Sequence, residues 1–174
     1  MYNIKRAVPS AVDGLKVSQR KVVHTCFIKF SSPETPEFKV SQLAALTAAK
    51  TNYAHGEVSL QNTITGMAQS FAAHAATRQQ AIAQNVANAD TPGYRSRDVV
   101  AFTEYWRATN APGGTETSQT LIRVEADPAT TSPDGNTVSL EHEMMRSVSA
   151  RQQHEMALGI YSMARDVLRA TIGR

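Results

Sequence analysis

From Leu60 onward, apolar residues recur at three- and four-residue intervals: Leu60, Ile64, Met67, Phe71, Ala75, Ile82, Val86 and Ala89. Gln69, Arg78, Gln79, Gln80 and Gln84 fall mostly on other faces. A helix imposes that period on a one-sided surface, which predicts about 30 helical residues in a rod roughly 45 Å long. The stripe is narrow and rich in alanine, so alone it buries too little to be stable, and the pattern calls for a partner helix. The C-terminal stretch supplies one. Ser139 is a predicted N-cap, Glu141 and Glu143 sit in the first turn, and Arg165, Arg169 and Arg174 sit near the other end, where the helix dipole favours each sign of charge. Its apolar surface is Met144, Met145, Val148, Met156, Leu158, Tyr161, Ala164, Leu168 and Ile172, wider than a two-helix seam needs.

The first long helix has a built-in stop. Pro92 lacks an amide hydrogen and pushes Thr91 toward extended geometry, so the helix is expected to finish at about Asn88 to Asp90. Thr91-Pro92-Gly93-Tyr94 then fits a type II turn, in which proline presets the second position and Gly93 supplies the positive φ of the third. Between the two long helices, Asp98 to Trp106 reads as one short helical stretch with Phe102, Tyr105 and Trp106 clustered. Thr120 to Glu125 alternates as a strand of a small hairpin. Ala111 to Ser118 and Asp127 to Asn136 read as loops. Upstream, Lys21 to Phe30 is β-branched and aromatic and predicts a strand; Ser31 to Pro36 reads as a break and Val40 to Ala54 as a short Ala-rich helix. The expected fold is thus mainly α, with two long helices paired like a coiled coil and an irregular or β-hairpin middle section.

Composition supports an elongated pair over a large globule. Only 6% of the 174 residues are aromatic, while alanine and glutamine are frequent. No run approaches the apolar length of a membrane span, so no lipid insertion is expected. Charge is unevenly spread. Residues 1–57 carry eight basic side chains against four acidic ones, whereas the rest carries ten arginines against eleven acids. All six lysines lie in the first 50 residues, and the chance that six random positions all fall even within the first 57 is about one in a thousand. The two parts therefore differ in origin or role. Lys16, Arg20, Lys21 and Lys29, interleaved with Phe27 and Phe30, form the one constellation suited to phosphate contact and base stacking, although they match no known nucleic-acid module.

Catalytic and metal chemistry finds little support. Cys26 is the single cysteine, and His24 beside it lacks further ligands. His142 and His154 are 12 residues apart, about 18 Å along a helix, too far to share a metal. Phosphate loops, nucleophile elbows and dinucleotide fingerprints are absent. The expectation is a protein that is not an enzyme and has no catalytic, cofactor-binding or metal residues.

The segment Asn85 to Tyr94, reading Asn-Val-Ala-Asn-Ala-Asp-Thr-Pro-Gly-Tyr, resembles the signature that ends the N-terminal helix in rod and hook proteins of the bacterial flagellum. Asn136 to Met144 is similar to the start of the last helix in the FlgB, or proximal-rod, branch of that family. The resemblance covers about residues 58 to 174. It implies a structural rod protein whose terminal helices form an inner domain and assemble helically for motility. Expected partners are copies of itself, other rod proteins, base-ring adaptors and the type III export apparatus, without nucleic acid. The implied location is the flagellar basal body, reached without a cleaved signal peptide. Asn85, Asn88, Thr91, Pro92, Gly93 and Tyr94 are the implied turn and assembly residues. On this reading 1–57 is an atypical basic extension, poorly ordered or an upstream mis-start. Residues 58–98 are the N-terminal rod helix and turn, 99–137 the middle section and 138–174 the C-terminal rod helix. The competing expectations are another rod or axial sibling of the same family and, from a different class, a nucleic-acid-binding protein that uses the basic N-terminal segment.

Overall fold

A computed structural model describes residues 15–29, 39–53, 57–110, 122–124 and 131–172. The break expected at Ser31 to Pro36, the loop at Ala111 to Ser118, and Phe30 lie outside the described residues.

The stretch expected as a strand is instead helix α1, Val17–Lys29. Its burial explains the difference. Val22 and Thr25 face inward with Gln19, and Cys26 packs beside them, so the β-branched residues recur at helical spacing and bury on one side. Tertiary burial outweighs their modest preference for strands. Helix α2 spans Val40–Thr51. Both short helices begin alike: the side chain of Gln19 accepts from the amide of Lys16 at 2.8 Å, and that of Gln42 from the amide of Lys39 at 3.0 Å. Each glutamine satisfies an amide that the first turn would leave unpaired. The buried hydroxyls of Thr25 and Thr47 donate to the carbonyls of Lys21 and Leu43, four residues back, and so carry no unsatisfied polar atom into the core.

The long helix α3 runs Glu57–Ala87 and the last helix, α5, runs Leu140–Ile172. Between them lie strand β1 (Arg97–Val99), helix α4 (Phe102–Asn110) and strand β2 (Ile122–Val124). The strands pair antiparallel, with Arg97 opposite Val124 and Val99 opposite Ile122. The single helix expected over Asp98 to Trp106 is therefore a strand followed by a helix. Val99 and Val100 bury against Ala81, and that extended pair delays the helix until Phe102.

Helices α3 and α5 make the most extensive contact in the fold. They run antiparallel: Ile160 packs against Leu60 and Ile64, whereas Arg146, near the start of α5, reaches the Asp98 carboxylate that Arg78 holds. On α5 the inward positions are Glu143, Arg146, Ala150, Gln153, Ala157 and Ile160, a regular three-and-four alternation. The expected apolar face of α5 is not the inward one. Met144 and Val148 are each 70% exposed, and Met145, Met156 and Leu158 also face solvent. Alanine at positions 150 and 157 lets the helix backbones approach closely, which larger side chains would prevent. The apolar core proper gathers at one end, where Val22, Val40, Ala44, Leu60 and Ile64 meet beneath Leu43, Ala48 and Tyr53.

Candidate functional site

Three regions bring polar side chains together. The first is the outer face of α1 and the residue that precedes it. Lys16, Arg20, His24 and Phe27 follow one another at three- and four-residue intervals, and all are exposed, Phe27 to 77%. Lys21 belongs elsewhere. Its ammonium donates to the carbonyl of Thr51 at 2.8 Å and lies 5.5 Å from the centre of the Tyr53 ring. A cation at the C-terminal end of α2 meets that helix's unpaired carbonyls, so Lys21 ties the two short helices together.

The second region is the turn after α3. Asn85 is fully buried; its Nδ2 donates to the carbonyl of Arg97 at 2.7 Å, and its Oδ1 accepts from the Arg97 amide at 3.0 Å and the Tyr94 hydroxyl at 3.3 Å. Asn88 Nδ2 donates to the Gln84 carbonyl and its Oδ1 accepts from the Thr91 hydroxyl. The Tyr94 amide donates to the Thr91 carbonyl at 3.2 Å and Gly93 has φ of +71°, while Pro92 is exposed. Across from this turn, Asn136 points one amide nitrogen at the carbonyls of Asn88, Ala89 and Thr91, at 2.8 to 3.0 Å. The Gly93 amide donates to Asp134 and the Thr137 amide to Tyr94. All of these bonds lie within the chain and close the junction between α3 and α5.

The third region is a cavity of about 310 Å³ lined by Phe71, His74, Arg78, Phe102, Gln153 and the Val99–Ala101 segment. His74 is nearly fully buried, and its Nε2 lies 2.8 Å from the carbonyl of Val100. A carbonyl only accepts, so Nε2 carries the proton and Nδ1 is left as a lone-pair acceptor, which has no partner. Burial pushes the imidazole below its ordinary pKa range, with the Val100 hydrogen bond opposing in part. Arg78 clasps Asp98 through Nε and Nη2 at 3.1 and 3.0 Å. Arg146 joins the same carboxylate at 3.9 Å and Glu143 at 3.2 Å.

Against known proteins, residues 6–84 match the family of the DNA gyrase/topoisomerase IV A subunit. Over 71 residues the chain is 48% identical to the putative mitochondrial DNA topoisomerase 2 of Caenorhabditis elegans, covering 41% of this chain and 6% of that protein. Over 67 residues it is 51% identical to DNA topoisomerase 2 of Drosophila melanogaster, and over 67 residues 49% identical to human DNA topoisomerase 2-alpha. In both cases the match covers 38% of this chain and 4% of the relative.

These similarities overturn the flagellar reading. The FlgB resemblance, the rod-protein function, the rod, base-ring and export partners and the basal-body location all give way to a likeness to DNA topoisomerases. The expectation of no enzyme and no nucleic acid falls with them, because the relatives are enzymes named for DNA. The physical reason lies in what carried the resemblance. Residues 85–94 and 136–144 are helix-stop and helix-start chemistry, they lie outside the matched stretch, and here they bond chiefly to each other. The competing nucleic-acid expectation is the one the comparisons favour.

His74 and Gln153 escape the sequence reading as site residues. Their signal is present in the Phe71-His74-Arg78 spacing, which places all three on one side of α3, but Val100 and Gln153 come from distant sequence. Among the described residues no group of three or more His, Cys, Asp or Glu could hold a metal ion, and no helix is long and apolar enough to cross a membrane.

Proposed function

We propose that this chain carries a DNA-contacting segment of a DNA topoisomerase-type enzyme, in which the outer face of α1 meets the phosphate backbone. The supporting observation is that the stretch similar to DNA topoisomerases contains a helix whose solvent face presents Lys16, Arg20, His24 and Phe27. Lys16 and Arg20 are four residues apart, about 6 Å along the helix, a spacing suited to neighbouring phosphates of one strand. Their contribution is affinity and register, since phosphate contacts carry no sequence information. Phe27 offers a ring face for stacking where a base is unpaired. The enzyme activity itself is part of the proposal, as the chain spans only 4–6% of the relatives' length.

Fluorescence anisotropy with a labelled duplex and the full chain tests this reading. Binding should weaken as salt rises, and the Lys16→Ala/Arg20→Ala double variant should lower the slope of log affinity against log salt by about 2. Equal affinity and equal slope in the double variant would overturn it.

A further inference from the structure

The cavity between α3, α4 and α5 has a composition that the α1 reading does not use. Its walls are aromatic. Phe71 and Phe102 meet edge to face at 4.9 Å, and His74 lies 5.4 Å from Phe102 and 5.6 Å from Tyr105. Three polar groups on its lining are unspent. His74 Nδ1 is a buried acceptor without a partner. Arg78 uses Nε and Nη2 on Asp98, which leaves the Nη1 donors without a partner among the described residues. The side-chain amide of Gln153, half-buried, likewise makes no hydrogen bond among the described residues.

The charges around the cavity balance. Arg78 and Arg146 face Asp98 and Glu143, and the histidine adds none when neutral. An anion would gain little from arginines already neutralised, and an aliphatic ligand would leave the polar groups unsatisfied. A flat, neutral heteroaromatic ring with donors and acceptors on one edge suits both features. Arginine pairs with the acceptor edge of guanine and glutamine with adenine, and aromatic walls accept any base face. A volume of about 310 Å³ lies at the lower end of small-ligand sites and leaves room for a bicyclic ring.

We propose that this cavity binds a purine nucleobase, packed against the touching rings of Phe71 and Phe102 with its polar edge toward Arg78, Gln153 and His74. The base comes from a free nucleoside or from an unpaired position in a strand. The site does not depend on α1 and contains no phosphate contact.

The reporter is built in: Trp106, the only tryptophan of the chain, lies 5.6 Å from Phe102. Guanosine and adenosine are titrated into the full-length protein, followed by Trp106 emission and calorimetry. A saturable response is expected that does not change between about 50 and 200 mM salt, unlike duplex binding. Gln153→Leu, which removes the amide at a partly exposed helical position, should weaken nucleoside binding about tenfold with helical circular dichroism and duplex binding unchanged. Competition by a short single-stranded purine oligonucleotide assigns the base to a strand; its failure to compete assigns it to free nucleosides. No saturable response to either, or an equal response in Gln153→Leu, overturns the proposal. Duplex affinity and salt slope left unchanged in the Lys16→Ala/Arg20→Ala variant overturn the α1 reading alone and leave this one standing.

Discussion

The two ends of the α3–α5 pair are held by opposite means. At the α1–α2 end, Leu60, Ile64, Val22, Val40 and Ala44 exclude water, and the contact has no required direction. At the other end the apolar cluster of Ala81, Val99 and Val100 is joined by directed bonds: Arg78 on Asp98, Asn85 on Arg97, Asn136 on three carbonyls. An apolar end tolerates a swap of similar volume, whereas a bonded end fails when one atom changes kind. The first suits a platform for an exposed helix. The second suits a fixed turn.

Breaking the apolar end should give the largest effect. Leu60→Ala removes a fully buried side chain and should cost about 3 kcal/mol in denaturant unfolding, while Leu60→Met should cost less than about 1.5 kcal/mol. At the bonded end, Asp98→Ala strips Arg78 of its carboxylate, while Arg146 keeps Glu143. Because Arg78 keeps 24% of its side chain in water, the loss should be about 2 kcal/mol, below that of a sealed ion pair. A Leu60→Met variant more damaging than Asp98→Ala would reverse the contrast. Gly93→Ala sharpens it further. An added Cβ meets nothing within 4 Å, so only the positive φ opposes it and the cost should be about 1 kcal/mol. The smallest effect concerns pH. Burial holds the His74 pKa below its ordinary range, so the unfolded chain takes up that proton first as pH falls. His74 therefore leaves stability intact above the ordinary histidine range and lowers it as pH drops toward the folded value. His74→Phe should flatten that part of a melting temperature versus pH curve; an unchanged slope would show that the imidazole is not shielded.

Sequence periodicity locates α3 because its apolar spacing, its length and the Pro92 stop agree. The same signal misleads at α1, where Val22, Val23, Thr25 and Ile28 have strand-like character and only burial beneath α2 and α3 shows the helical face. It also selects the wrong face of α5. Methionines and leucines are the stronger hydrophobic signal, but a close helix pair selects small residues, and Ala150 and Ala157 give almost no pattern of their own. The basic face of α1 is visible as a lysine-rich segment, yet only the contact with Thr51 separates Lys21 from Lys16 and Arg20. The cavity is hidden for a simpler reason. Its lining comes from α3, the β1–α4 link and α5, so no local spacing encodes it.

At the far end of α3, two glycines touch. A Cβ on Gly135 would stand 3.6 Å from the Cα of Gly93, so the turn leaving α3 and the one entering α5 meet main chain to main chain. That contact sits at the head of two packed helices of 31 and 33 residues, roughly 46 and 50 Å long. Glycine at both positions thus lets backbone, not side chains, set the spacing at which one helix hands over to the other.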